Sequence, residues 1–336
     1  MDAPISPDAV PREAARALSQ RQQNNAALMA EMRRGLARRQ RELPSRLLDE
    51  RGVADVRRKI ETLRDERWQL VEMPLVRSVM AELRAKRAVR RVVEIAPAGS
   101  SSLLTMLDTP ADYPPMMCYL AVHPSRDLAM EAVQRVTNTF PDLAAVPIVT
   151  DLVLPLPIRP APGTDFVCLG RALSQLRPVY AIRMLRETRN AMTPDDRLLI
   201  SLDLRDAETR VATSMVDATL LGQWHRYGLA VTNRVLGADF PLDRFRYCSS
   251  IDADNRWIEE CVQCTSAARV SVPGMDALLV RAGERIRTGV ECLYDQAALQ
   301  SMLRGVGLAL ERWSVSHDGT HALASATLQY RNDSLS

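Results

Sequence analysis

From Arg90 onward the chain alternates short, β-branched apolar runs with amphipathic stretches, and nothing else in the sequence narrows the fold as much. The runs Val92–Ile95, Met117–Val122, Val146–Val149, Phe166–Leu169 and Leu198–Leu204 predict strands. The stretches 100–107, 125–138 and 177–191 carry apolar residues at spacings of three and four and predict helices. Strand–helix alternation of this kind folds as an α/β sheet, parallel and wrapped on both faces, because each strand returns through a helix lying on the sheet. Ligands of such sheets sit at the carboxyl ends of the strands.

Elsewhere the pattern changes. Residues 8–90 read as helices, and the basic stretch "RRGLARRQRELPSR" (33–46) reads as a solvated helix face. Residues 206–246 return to helix, two polar strands follow around 247–272, and a helix is predicted at 295–306. The chain then closes with an antiparallel pair around "HDGTH", a hairpin turn at Asp318-Gly319 flanked by His317 and His321 as exposed histidines.

A formal charge of +3 over 336 residues demands no nucleic-acid partner. No run of about 18 apolar residues exists, so a membrane-spanning helix is not expected. The first twenty residues lack a basic-then-apolar leader pattern, so a cytoplasmic protein acting on a small molecule is expected. Six cysteines in a chain of this length form no small disulfide framework. "CVQC" (Cys261, Cys264) has half the spacing of a zinc site, with no second pair after it, so no metal is expected.

The first strand leads into "RRVVEIAPAGSSSLL" (90–104), which has the outline of a nucleotide-binding strand and loop. An acid, Glu94, precedes a tight turn of small residues, and a helical pattern follows. Gly99 is the sole glycine of this loop, where a backbone approaching a ligand closely normally uses several. The N–H groups of Gly99 and Ser100 at the helix start are expected to face a cleft and attract a carboxylate.

A parallel sheet ending in a reversed hairpin is the architecture of class I methyltransferases, and six segments narrow the likeness. "LPSRLLDERG" (43–52), "VVEIAPAGSSS", "VTDL" (149–152), "CLGRALSQLRP" (168–178), "NRVLGADFPLDRFRY" (233–247) and "GERIRTGVECLYD" (283–295) occur in order. Together they resemble the histidine-specific N-alpha-methyltransferases of the ergothioneine-biosynthesis type, of which this chain reads as a divergent member. The resemblance implies a Rossmann-like class I methyltransferase sheet with a second, smaller α+β lid domain, substrate lying between the two. The boundaries it suggests are an N-terminal helical segment belonging to the lid (1–77), the sheet domain (78–205), an inserted lid or substrate domain (206–292), and the C-terminal part of the sheet (293–336).

The resemblance also implies S-adenosylmethionine as cofactor, held by Glu94, Ala96, Ala98, Gly99, Ser100, His123, Asp151 and Leu152. Two of the family's loop glycines map to Ala96 and Ala98 around Pro97, which lacks an N–H. Alanine is tolerated at such a place where φ stays negative. The family's ribose-binding acid maps to His123, and the lost carboxylate weakens binding by about 1–3 kcal/mol.

Substrate positions depart further. The family's paired tyrosines map near Glu66 and Arg67, with Trp68 beside them and Glu72 retained. Its fourth-strand asparagine maps to Gln175, and its inserted tyrosine maps near Ser214 or Met215, followed by Asp217. Its imidazole-reading acid and serine map to Gly289 and Glu291. On a strand, residues two apart share a face about 6–7 Å apart, so Glu291 either re-aims a carboxylate along the pocket wall or stands in solvent. The expected activity is S-adenosylmethionine-dependent N-methylation of a small amino-acid-like or amine substrate other than histidine. The alternative is a non-catalytic relative with a degraded cofactor site, serving a protein partner. Amine methylation needs alignment more than a dedicated acid or base, so no catalytic residue is assigned.

Overall fold

A computed structural model describes residues 26–49, 54–85, 88–96, 102–108, 116–216 and 218–329. Helix α1 covers 26–36, and a 3-10 turn, Ser45–Asp49, follows it. Helix α2, Ala54–Arg84, buries Glu72, Leu75, Val76, Val79, Met80 and Leu83, the stripe that a helix laid against a sheet presents.

The alternating region then begins. Strand β1 (Arg91–Ile95) leads through α3 (Ser102–Leu107) to β2 (Cys118–His123), α4 (Arg126–Thr139) and β3 (Ala144–Val149). Strand β4 (Thr164–Cys168), α5 (Pro178–Ala191) and β5 (Arg197–Asp203) complete the parallel set. Helix α5 opens on Pro178, whose missing N–H is unneeded in a first turn. These elements match the sequence expectation to within two or three residues.

Helices α6 (Ala207–Val216) and α7 (Ala218–Leu236) come next. Strands β6 (Phe245–Asp252), β7 (Trp257–Cys264) and β10 (Arg285–Cys292) form a three-stranded sheet in the order β10-β7-β6, and β8 (Ala268–Val270) pairs antiparallel with β9 (Leu278–Val280). Helix α8 (Gln296–Gly305) starts at Asp295, whose carboxylate accepts the Ala298 N–H at 2.7 Å. It leads to β11 (Leu308–Val315) and β12 (His321–Leu328).

The main sheet has seven strands in the order β11-β12-β5-β4-β1-β2-β3. The five middle and right-hand strands run parallel, and β12 and β11 are reversed. Side-chain alternation divides its two faces. Val93 and Ile95 of β1 join a core with Phe166, Cys168, Met184 and Leu198. Val92 joins another core with Val79, Met106, Tyr119, Ala121, Val136 and Val167. One edge strand, β3, contains Pro147; the other, β11, shifts register between Leu310 and Arg312.

The chain divides into two compact units. One comprises Asp49–Trp224, Ser249–Glu260 and the residues from Val290 onward, and includes the seven-stranded sheet. The other comprises the described residues up to Leu48 with His225–Cys248 and Cys261–Gly289. It has its own core of Met32, Leu36, Leu229, Phe240, Phe245, Val262 and Ile286. In this smaller unit His225 Nδ1 lies 2.8 Å from Thr288 Oγ1, and its ring stacks on Tyr247 with centroids 5.0 Å apart.

Two sequence expectations are corrected. The basic stretch 33–46 is not a continuous helix face: α1 stops at residue 36, and the following irregular segment is tied down by ion pairs. Arg41 pairs with Glu284 and Arg38 with Glu42, and Glu42 also receives Arg287 at 2.6 Å. Gly35 explains the stop, because a Cβ there would lie 2.4 Å from the Glu42 carbonyl oxygen, so the chain turns back against the helix. The hairpin turn at Asp318-Gly319 forms, with Gly319 at φ 71°, yet His321 is buried on β12, where it pairs in register with Asp203. A histidine one residue into a strand points into the sheet, which the turn alone does not reveal. No helix among the described residues is long and apolar enough to cross a membrane.

Candidate active site at the carboxyl ends of the strands

The parallel strands β1 to β5 end along one edge, and the sequence-predicted residues that the structure describes collect there. Glu94 is the fourth residue of β1, paired between Ala121 of β2 and Val167 of β4. Strand alternation turns its side chain to the face of Val92 and Tyr119, where it is fully buried and accepts the Tyr119 hydroxyl proton. Burial pushes the Glu94 carboxyl up to about 7, against the opposing pull of that hydrogen bond and of the Arg135 charge on α4.

Ala96 follows with φ 52°, in the left-handed region that glycine enters freely and alanine enters at a cost of about 1–2 kcal/mol. The condition under which alanine replaces glycine freely, a negative φ, is therefore not met here. The Ala96 N–H still reaches the Val122 carbonyl at 2.9 Å, a bond that holds the turn in this conformation. Ala98, Gly99 and Ser100 lie outside the described residues, and so does Asp217; of the side chains of Glu66, Arg67 and Trp68 on α2, nothing is described.

His123 ends β2 on the same face as Tyr119 and Ala121, and it is buried. Its Nδ1 accepts the Ser125 N–H at 2.8 Å, the short-range bond that an aspartate makes to its own following turn. A ring whose Nδ1 accepts in this way carries its proton on Nε2, where a carboxylate has acceptors only. Asp151 stands two residues beyond β3, partly buried, and its Oδ1 accepts the Val153 N–H at 3.2 Å. Leu152 beside it is buried in the core around Val93 and Ile95.

The turn after β4 is fastened from several sides. Glu72 of α2, wholly buried, accepts the Gly170 N–H at 3.3 Å, and Ser201 of β5 donates to the Gly170 carbonyl at 3.2 Å. The Ser174 carbonyl receives the Cys292 N–H at 2.7 Å from the end of β10. Gln175 sits exposed on this turn, its own N–H bonded to Arg171 O at 3.1 Å.

Glu291 is neither solvated nor bare. It is 2% exposed and shared between two guanidinium groups, Arg171 from the β4 turn and Arg210 of α6, the latter at 2.9 Å. Arg210 also donates to the backbone carbonyls of Asp203 and Arg205, and its Nε lies 3.7 Å from Asp203 Oδ1. Asp203, ending β5, is gripped by Arg205 through bonds of 2.6–3.2 Å. Burial alone would raise the Asp203 carboxyl, but the Arg205 hydrogen bonds and the Arg210 charge hold it below the usual range. This network of Arg171, Asp203, Arg205 and Arg210 around Glu291 was not found by sequence reasoning, and neither was Tyr119. For Tyr119 a signal existed: a polar-tipped residue in an apolar strand, placed to share a face with the acid of β1.

The edge therefore presents, at the ends of β1, β2 and β3 in turn, a buried acid, a histidine donor and an aspartate. Beside them is a braced turn over β4 and β5. Groups of this kind suit a ligand with cationic, hydroxyl and heterocyclic parts more than a bare metal ion. Among the described residues, no group of three or more His, Cys, Asp or Glu is placed to hold a metal.

The chain is similar to known proteins over most of its length. A family described as histidine-specific methyltransferase, SAM-dependent, matches residues 28–328. The histidine N-alpha-methyltransferase of Mycolicibacterium smegmatis is 25% identical over 303 residues, spanning 89% of this chain and 94% of that protein. The protein of the same name from Mycobacterium tuberculosis is 31% identical over 163 residues, 48% of this chain and 51% of its own. Among solved structures, an S-adenosylmethionine-dependent methyltransferase from Clostridium acetobutylicum aligns over 81% of this chain and 99% of its own, at 11% identity and a TM-score of 0.49. With the family matched over nearly the whole chain and its segments folded into a Rossmann-like sheet, the protein belongs to the SAM-dependent, histidine-specific methyltransferase family.

Proposed function

We propose that this protein methylates the amine of a small amino-acid-like substrate other than histidine. The observation that carries the choice of substrate is the state of Glu291. Its carboxylate is the acid nearest in sequence to the family's imidazole-reading position, which here is Gly289, and it is already neutralised by Arg171 and Arg210. A pocket that reads a polar group discriminates strongly because its own partners go unpaired when the ligand lacks that group. With the reading acid absent and its neighbour engaged, histidine loses the contact that would select it.

The residues at the strand ends suit S-adenosylmethionine. Ala96 keeps the left-handed turn that opens the β1 loop, and Glu94, His123 and Asp151 supply an acid, a donor and an acceptor in series. When bound, the cofactor supplies a methyl group on a positively charged sulfur to an amine lone pair. The chain's part is positioning: Glu94 offers negative charge beneath the β1 loop, His123 offers its Nε2 proton to a hydroxyl, and Leu152 supplies an apolar wall. The braced turn bearing Gln175 fixes the edge over β4.

A second reading, a non-catalytic relative, draws on Ala96, whose methyl stands where the family has none. The two are separated by calorimetric titration with S-adenosylhomocysteine, followed by product analysis on a panel of free amino acids and amines with labelled cofactor. Binding plus methylation of an amine other than histidine supports the proposal. Efficient methylation of free histidine overturns the substrate, and the absence of binding overturns the enzyme.

A further inference from the structure

We propose that Tyr119 is a positioning residue for cofactor binding, its hydroxyl holding the Glu94 carboxyl in the orientation the cofactor meets at the end of β1. The inference rests on Glu94 being a cofactor group, as proposed above, and the experiment below separates the two.

The geometry starts from register. Val92 lies opposite Tyr119 and Glu94 lies opposite Ala121, so Tyr119 and Glu94 are diagonal neighbours on one face of the β1–β2 pair. A diagonal pair lies about 7–8 Å apart, within reach of an aromatic ring but not of a short hydroxyl side chain. Tyr119 is fully buried between Val92, Ala121 and Val136, where a phenylalanine would pack as well. The hydroxyl is the surplus atom, and it is spent on one carboxyl oxygen. A buried phenol needs a partner, and a buried acid needs a donor, so each fixes the other.

The hydroxyl also bears on charge. Burial raises Tyr119 well above its ordinary range, so it keeps its proton and donates. A donor favours the ionised form of its acceptor, which opposes the burial that pushes Glu94 up to about 7. Among the described residues, few charged or titratable groups surround this carboxyl. Arg135 of α4 helps hold it ionised, and α3 carries no ionisable side chain. On α2, packed on the same face, Glu72 accepts the Gly170 N–H and Arg84 donates to the Asp108 carbonyl. Cys168 of β4, on the opposite face of the sheet, is pushed up to about 12 and stays a neutral thiol. His123 lies two residues beyond Ala121 on the same face of β2. S-adenosylmethionine and S-adenosylhomocysteine both carry a cationic amino group, so an ionised Glu94 binds either better, and affinity is expected to rise with pH through neutrality.

The test is calorimetric titration of the full-length protein with S-adenosylhomocysteine from about pH 6 to about pH 9, bracketing the ordinary histidine range. Wild type, Tyr119→Phe, Tyr119→3-fluorotyrosine and Glu94→Gln are compared. Glu94→Gln, which cannot ionise, sets the baseline against which the Glu94 component of the other three profiles is read. Removing the hydroxyl shifts the midpoint of the affinity profile upward by about 1–2 pH units, with affinity at high pH returning toward wild type. The more acidic fluorophenol, a stronger donor of nearly the same shape, shifts it downward. Glu94→Gln weakens binding and removes the Glu94 component. If Tyr119→Phe does not fold, the fluorotyrosine protein decides by the sign of its shift. An unchanged midpoint in the tyrosine variants, or a loss independent of pH, overturns the positioning role. Wild-type affinity in Glu94→Gln overturns instead the reading of Glu94 on which it rests.

Discussion

Buried charge lies at both ends of the parallel strands, and the two ends are built differently. At the amino end, Asp165 and Arg197 are register partners on β4 and β5, joined at 3.2 Å, and Arg197 also donates to the Leu83 carbonyl. Nearby, Asp196 accepts the Thr164 and Thr193 N–H groups at 2.8 and 2.7 Å, while Arg91 donates to Thr164 Oγ1 and the Arg159 carbonyl. The pairs Asp165–Arg197 and Arg91–Thr164 are set by the strand register itself. At the carboxyl end the pairing sets little. Arg210 and Glu291 are 81 positions apart, and Arg171, Asp203 and Arg205 come from turns and strand ends that no common ladder aligns. Charge at the amino end fastens the sheet; charge at the carboxyl end is assembled on the ligand-bearing edge. At the second end, changing a residue re-aims a contact without unzipping a strand.

The sharpest way to break this contrast is at the amino end. Asp165→Ala leaves the Arg197 guanidinium buried without its counter-charge, and urea denaturation is expected to show a loss of about 3–5 kcal/mol. Cofactor affinity in the folded fraction should stay within twofold of wild type. At the carboxyl end, Glu291→Gln should cost less, about 1–3 kcal/mol by the same measurement, because Arg210 keeps Asp203 and its carbonyl partners. Here the substrate KM should rise while affinity for S-adenosylhomocysteine does not change. Equal stability costs at the two ends would erase the distinction. Within the cofactor edge, His123→Asp restores an acceptor at the end of β2 and should tighten S-adenosylhomocysteine binding roughly tenfold, about 1.4 kcal/mol, by calorimetry. Weaker binding would mark His123 as a competent replacement. Smallest is Ala96→Gly. It relieves the left-handed strain but adds chain entropy to the unfolded state, so a net gain of up to about 1 kcal/mol is expected in thermal unfolding.

The same division explains how much could be read from the sequence. The strands were legible because runs such as "RVVEI" and "RLLISLD" are buried on both faces and leave no period other than their own apolar length. The hairpin was legible from Asp318-Gly319. The acid of β1 was legible from its place before the turn of small residues, and the histidine of β2 from the family resemblance. Arg171 and Arg210 were not found, because one arginine in an arginine-rich chain resembles the next until a distant glutamate is brought against it. Tyr119 passed as ordinary core because its partner lies diagonally across a strand pair, a relation that exists only once register is known. The φ of Ala96 could not be read, because side-chain identity states a preference, while the Val122 bond fixes the backbone.

The two outer strands carry a further consequence. A sheet of seven strands ends in two rows of backbone N–H and C=O groups, each a template on which another chain can add a strand. On β3, whose Val146 and Val149 are exposed, Pro147 has no N–H to offer and interrupts the row. On β11 the register shift between Leu310 and Arg312 breaks the regular spacing of the row, and Arg312 is drawn to Glu82 of α2 at 2.5 Å. Each edge thus denies a newcomer the continuous ladder that templated polymerisation requires. Pro147→Val would place four consecutive β-branched residues, 146–149, on an exposed border, and the protein would then be expected to self-associate through it.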